Sequence, residues 1–290
     1  MKRLYPLMCL LLVASLCVAQ GKRKKPSSFN KRNNESERFL DKQWWVGLKA
    51  GTNLSNAVLQ KTYSVVLPTN YEQDAKQYES FNKLGSQATL EITFYIKRIS
   101  VSLQPTYRNA RFVYNNHYEW SDSEDPNNFL ALDYVQEQRV DHAVIPLVAK
   151  YDITATRLRP YVQAGVYMAF LINADKSVEV SGIDYASGGV NEFTNEPIIV
   201  GAKDLFAKNH WGLVGGAGVN YNMGNVRLNL DIMYSLGMSL INSTENRFSN
   251  DRLSGVGDAM DDIQLNNLSF SVGCLFPLRF LGSGFKSLDH

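Results

Sequence analysis

Five charged side chains stand apart in this 290-residue sequence, because each falls on the polar side of an alternating apolar–polar run: Lys49, Glu91, Lys150, Arg227 and Asp231. Groups of both signs in such settings offer two chemistries. They can neutralise one another inside a narrow polar interior, or they can line a path for ions. A packed interior uses them as structure, so the expectation is a structural polar cluster and not a conduction path. Catalysis would need a nucleophile and a base converging on one spot, and no such setting is visible. His117, His142, His210 and His290 are scattered over what read as different loops and ends, and no G-x-S-x-G segment occurs. The acid-rich stretches "SDSEDPNN" (121–128) and "GDAMDD" (257–262) lack the D-x-D-x-D-G spacing of a calcium loop and read as solvated. No catalytic, cofactor-binding or metal-ligating residue is therefore assigned.

The elements that would position the five charges are strands. In "VRLNLDIMYSLGMSLI" (226–241) the even positions are apolar throughout, while the odd ones include Arg227, Asn229, Asp231 and Ser235. A period of two means that successive side chains point to opposite faces. The same rule runs through "WWVGLKAGTNL" (44–54), "LGSQATLEITFYI" (84–96), "ISVSLQPTY" (99–107), "HAVIPLVAKY" (142–151), "YVQAGVYMAFLI" (161–172), "WGLVGGAGVNY" (211–221) and "LSFSVGCLF" (268–276). That makes eight strands, and no amphipathic helix of comparable quality appears. Some connections are very short, such as Lys97 with Arg98, "DITATRL" and "MGN". Others are long and polar, at roughly 55–83, 115–138, 173–209 and 242–267. Short links at one end and long loops at the other predict an all-β fold, an eight-stranded antiparallel up-and-down transmembrane β-barrel with both termini and the short turns in the periplasm.

A soluble ligand-binding barrel would point its apolar face inward. Composition argues for the opposite sense. The polar face carries Gly47, Gly51, Gly165, Gly212, Gly216, Gly218 and Gly273, which suit a crowded lumen, together with charges that would be costly in lipid. Trp44, Phe94, Tyr151, Tyr221 and Phe276 gather at the predicted periplasmic strand ends, as in a girdle at headgroup level. The expected surroundings are outer-membrane lipid and lipopolysaccharide.

The N-terminus reads as an export signal: Lys2 and Arg3 precede an apolar run over 7–19 that ends in small residues. Cleavage is expected after Ala19; lipid attachment at Cys17 and retention as an uncleaved anchor are the weaker alternatives, the latter because "KRKK" (22–25) follows the cut. Residues 1–19 are then a signal peptide, 20–43 a flexible basic periplasmic tail, 44–280 the outer-membrane β-barrel and 281–290 a C-terminal extension. Only Cys274 survives cleavage, so no internal disulfide holds the fold. A net charge of +2 gives no reason to expect a nucleic-acid partner.

Three stretches, 144–172, 211–241 and 266–276, together with "VGLKAGTNLS" (46–55), resemble the small outer-membrane β-barrel proteins of Bacteroidota called PorT-like. The likeness covers most of 44–276 apart from the loops. It implies a non-enzymatic integral outer-membrane protein with long extracellular loops and envelope or secretion-system partners, an accessory of envelope assembly or of type IX protein secretion. The long basic tail and the segment "PLRFLGSGFKSLDH" depart from that pattern. A narrow channel and a lipid-modifying outer-membrane enzyme are the competing expectations.

Overall fold

The computed structural model describes residues 42–63, 76–125, 127–185, 191–223, 226–247 and 259–278. Within them run strands β1 (Lys42–Lys61), β2 (Gln77–Glu79), β3 (Leu84–Ile96), β4 (Ile99–Leu103), β5 (Thr106–Ser121), β6 (Phe129–Asp152), β7 (Leu158–Asp184), β8 (Asn191–Thr194), β9 (Ile198–Gly201), β10 (Asn209–Met223), β11 (Val226–Gly237) and β12 (Asp262–Pro277), with a short 3-10 turn over Lys203–Leu205. The expected signal peptide and C-terminal extension lie outside the described residues, as does the tail up to residue 41. Lys42 and Gln43, assigned to the tail from sequence, already belong to β1.

All neighbouring strands are antiparallel, and they close into a ring of eight staves: β1, β3, β4 with β5, β6, β7, β10, β11 and β12, the last pairing back onto β1 from Trp45↔Pro277 to Lys61↔Asp262. The predicted strand over 99–107 is split. Pro105 has no N–H to give the ladder, so β4 and β5 form one stave with a break, bridged by the bonds Leu90 N–H to Pro105 O and Gln104 N–H to Pro146 O. Lys97 and Arg98 connect β3 to β4 with both residues at positive φ, the requirement of a two-residue primed hairpin turn.

The predicted loops 115–138 and 173–209 are largely strand. β6 runs for 24 residues and β7 for 27, whereas a tilted span needs roughly 9–11, so these staves project well beyond a bilayer. There β2 adds to the edge of β5, and β8 and β9 add to β7. Sequence reasoning stopped these strands where the apolar belt stops, because only lipid imposes an apolar outer face. A bulge between Asp141 and His142 in the β6–β7 pairing leaves Ile172 without a partner. One extra residue reverses which side chains face in, so Tyr167 and Ala169 are buried before the bulge, and Ala174 and Lys176 after it.

The faces sort as expected. Leu48, Val101, Val166, Leu230 and Val272 are exposed on the outside, as are Trp44, Tyr151, Tyr221 and Phe276, with Trp44 and Phe94 rings 4.8 Å apart. Lys49, Glu91, Lys150, Arg227 and Asp231 all face inward and are buried. At the end with the long connections the interior is instead an apolar core, built from Ala110, Phe112, Val140, Phe206, Ile241 and Ile263 among others.

Candidate functional site

Four of the five predicted charges meet in one network. Alternation on β1 turns Lys49 inward, and register brings it to Glu91 of β3 and Asp231 of β11, with Nζ 2.8 Å and 2.9 Å from their carboxylate oxygens. Lys150 on β6 reaches the other oxygen of Glu91 at 2.6 Å. Gln104 accepts from Lys49 at 3.2 Å, Gln163 donates to Asp231 at 2.5 Å, and the hydroxyls of Thr93 and Ser102 donate to Glu91 at 2.7 Å and 3.1 Å. Two cations and two carboxylates sum to zero. A buried pair offsets its desolvation only when further hydrogen bonds satisfy the remaining lone pairs, and here neutral side chains do so from β3 itself and from two other staves, β4 with β5 and β7.

Glycine makes room for this packing. A Cβ at Gly218 would overlap the Tyr161 ring, and one at Gly273 would overlap the Lys49 stem. Tyr161 in turn carries Lys150 Nζ 5.0 Å above its ring and accepts from Asn229 at 2.8 Å.

Arg227 does not join the four. It sits four residues before Asp231 on β11, about 13 Å along an extended chain. Its guanidinium stacks 4.1 Å over Trp45 and 5.2 Å from Tyr95, and its Nε donates to Asn222 at 2.8 Å. Tyr95 also accepts from Arg159 at 2.7 Å, and Arg159 lies 3.8 Å from Asp152. The five predicted charges therefore lie in two polar layers, a neutral one at mid-barrel and an aromatic–cationic one nearer the short turns. The partners of Asp231 are Lys49 and Gln163.

The family assignment follows the geometry. The model of the family described as outer membrane protein beta-barrel domain matches residues 19–244. The chain belongs to this family. Among solved structures it is similar to OprG of Pseudomonas aeruginosa (12% identity, TM-score 0.38, covering 81% of this chain and 96% of that one), to Neisserial surface protein A (14%, 0.32, 80% and 96%) and to outer membrane protein W of E. coli (15%, 0.31, 81% and 97%). Identities this low say nothing about ligand or activity. No curated protein matches the chain.

As an outer membrane protein beta-barrel domain, the chain crosses the membrane with strands, and its exposed apolar belt meets lipid. Among the described residues, the carboxylates of the acidic stretches bond within the chain. Asp122 and Asp125 accept from the backbone N–H groups of Glu124 and Asn127 at 2.9 Å and 3.0 Å, self-contained turns. Asp261 accepts from Tyr63 N–H and the Tyr78 hydroxyl, both at 2.8 Å. Asp262 accepts from Asn242 and Arg247, also at 2.8 Å. Burial pushes the Asp262 carboxyl up, but these bonds outweigh it and hold its pKa below the ordinary value.

The histidines require a correction. His117 is exposed and lies 2.7 Å from Asp133, as a loop residue would. His142 and His210 are not rim residues: both are buried in the barrel with ring centroids 4.7 Å apart. The signal was available. His142 shares the parity of Lys150 and His210 that of Gly212, both assigned inward. His290 lies outside the described residues.

Proposed function

We propose that this barrel is a non-enzymatic outer-membrane component that works through its structured outer extension, engaging other proteins of the envelope. The observation that supports this reading is how the barrel is filled. A charge-neutral ion-pair network occupies the middle and an apolar core the end with the long connections, which leaves the extended β5–β6–β7 sheet and its added edge strands as the built surface. In this reading the short turns and both termini are periplasmic and the long connections are outside the cell. The process served is envelope assembly or type IX protein secretion, as the PorT-like resemblance implies.

Affinity purification from detergent-solubilised envelopes, with a photo-cross-linker at Trp120 or Ile199, is expected to return discrete envelope proteins, and deletion of the gene to disturb their assembly or secretion. Steady open-channel steps of the purified barrel in a planar bilayer, removed by Gly216→Trp, would favour the narrow-channel reading instead. Labelling of Thr154→Cys in intact cells by an impermeant reagent would reverse the orientation.

A further inference from the structure

Between the ion-paired layer and the outer apolar core lies a layer of two imidazoles and one guanidinium, Arg108, whose positive charge is not cancelled. Arg108 of β5 is the register partner of His142 of β6, and His142 stacks edge-on against His210 of β10, with Tyr167 5.9 Å from the latter. Relative exposures are 4% for Arg108, 2% for His142 and 6% for His210.

Three nitrogens here have no hydrogen-bond partner although they are shut away from solvent: Arg108 Nε, Arg108 Nη2 and His210 Nδ1. Among the described residues no carboxylate pairs with Arg108. Gln87, its register partner on β3, is a neutral amide and cannot cancel the charge. On the same inner faces Ala110 and Phe112 follow Arg108, Val140 and Val144 bracket His142, and Ala169 pairs with His210, while Thr106 precedes Arg108. The β6–β7 bulge lies beside His142, with its extra residue, Ile172, on β7.

An isolated buried cation is among the costliest arrangements a protein can hold, and unmade buried donors add to that cost. A small anion removes both at once: it accepts from the guanidinium and an imidazole N–H, and it cancels the charge. The apolar core on one side and the filled ion-paired layer on the other leave no place for an organic tail. We propose that Arg108, His142 and His210 form an internal binding site for a small inorganic anion of the halide class, separate from the Lys49–Glu91–Lys150–Asp231 network.

The test uses the full exported chain folded in detergent, with bromide as the probe. At constant ionic strength, replacing gluconate by bromide is expected to raise the melting temperature along a saturating curve. Arg108→Gln should abolish the dependence and His210→Gln should shift its midpoint to higher bromide. Arg227→Gln, in the layer nearer the turns, should leave the midpoint where it is. Crystals grown in bromide should show an anomalous peak within hydrogen-bond distance of Arg108 and His210. That experiment needs only the wild-type chain, so a variant that fails to fold does not remove the test. No peak at the layer, or an equal bromide response in Arg108→Gln, overturns the site.

Discussion

The two ends of the barrel obey opposite rules with the same strands. Toward the short turns the inside is polar and the outside apolar: Lys49, Glu91, Lys150 and Asp231 face in, while Leu48, Leu90, Leu147 and Leu230 face out. Toward the long connections the inside becomes apolar, with Phe112, Val140, Ile241 and Ile263 buried together. What changes along a stave is the solvent outside it. Lipid gives no reward for burying an apolar side chain, so a membrane-spanning interior must be held by pairing and packing. Water does give that reward, and the projecting part is built like the core of a soluble sheet protein.

The sharpest way to break this contrast is to remove one keystone from each region. Glu91→Gln leaves Lys49 and Lys150 with only Asp231 between them. It should cost about 3–5 kcal/mol, the usual penalty for breaking a buried pair. Phe112→Ala empties a packed site in the outer core and should also cost about 3–5 kcal/mol. The readouts separate them: Glu91→Gln should lower the unfolding temperature on a heat-shift gel, whereas Phe112→Ala should leave the folded barrel band and open the projecting sheet to protease. Equal behaviour in both assays would mean that the two regions are one cooperative core.

A smaller effect probes the lipid face itself. Leu230 is 55% exposed on β11, and Leu230→Arg should impair folding into vesicles by roughly 2–4 kcal/mol. Asn229→Arg points into the lumen, where it must displace the bonds to Tyr161 and Asn220, so its cost arises from crowding and should not depend on bilayer thickness. If both variants respond alike to thicker bilayers, the inside–outside assignment is wrong.

The smallest effect concerns the outer region alone. With its folded pKa held below the ordinary carboxylate value, Asp262 contributes stability that is present above that value and lost as pH falls through the lower folded one. Because the group is partly solvated, about 1 kcal/mol is expected. Protease sensitivity of the projecting sheet should therefore rise below roughly pH 4, and Asp262→Asn should flatten that rise by having lost the contribution at every pH.

These regions also differ in how well the sequence reports them. Strand number, the sense of the faces and the inward placement of Lys49, Glu91, Lys150, Arg227 and Asp231 all follow from alternation, because lipid and lumen impose opposite chemistry on neighbouring residues. Pairing within the lumen does not follow, since it depends on register and shear; hence Arg227 stacks on Trp45 and leaves Asp231 to Lys49. The outer halves of β6 and β7 read as loops because the alternation fades once water replaces lipid. The bulge at Ile172 has no sequence signature of its own, and it hides the inward turn of Lys176.

The seam between β1 and β12 bears on how the barrel is made. Lys49 lies opposite Gly273, and Leu54 opposite Leu268, so the pairing that shuts the ring joins segments more than 200 residues apart. Contacts between such distant segments are slow to form, because chain entropy must be lost before they return any energy. Until β12 arrives, β1 presents a long edge of unpaired N–H and C=O groups, a template for pairing with any other extended chain. Assembly is thus governed by its last strand: damage to β12 should leave whole, unclosed sheets and not a shorter barrel, and protection of the waiting β1 edge becomes the step at which correct closure and aggregation compete.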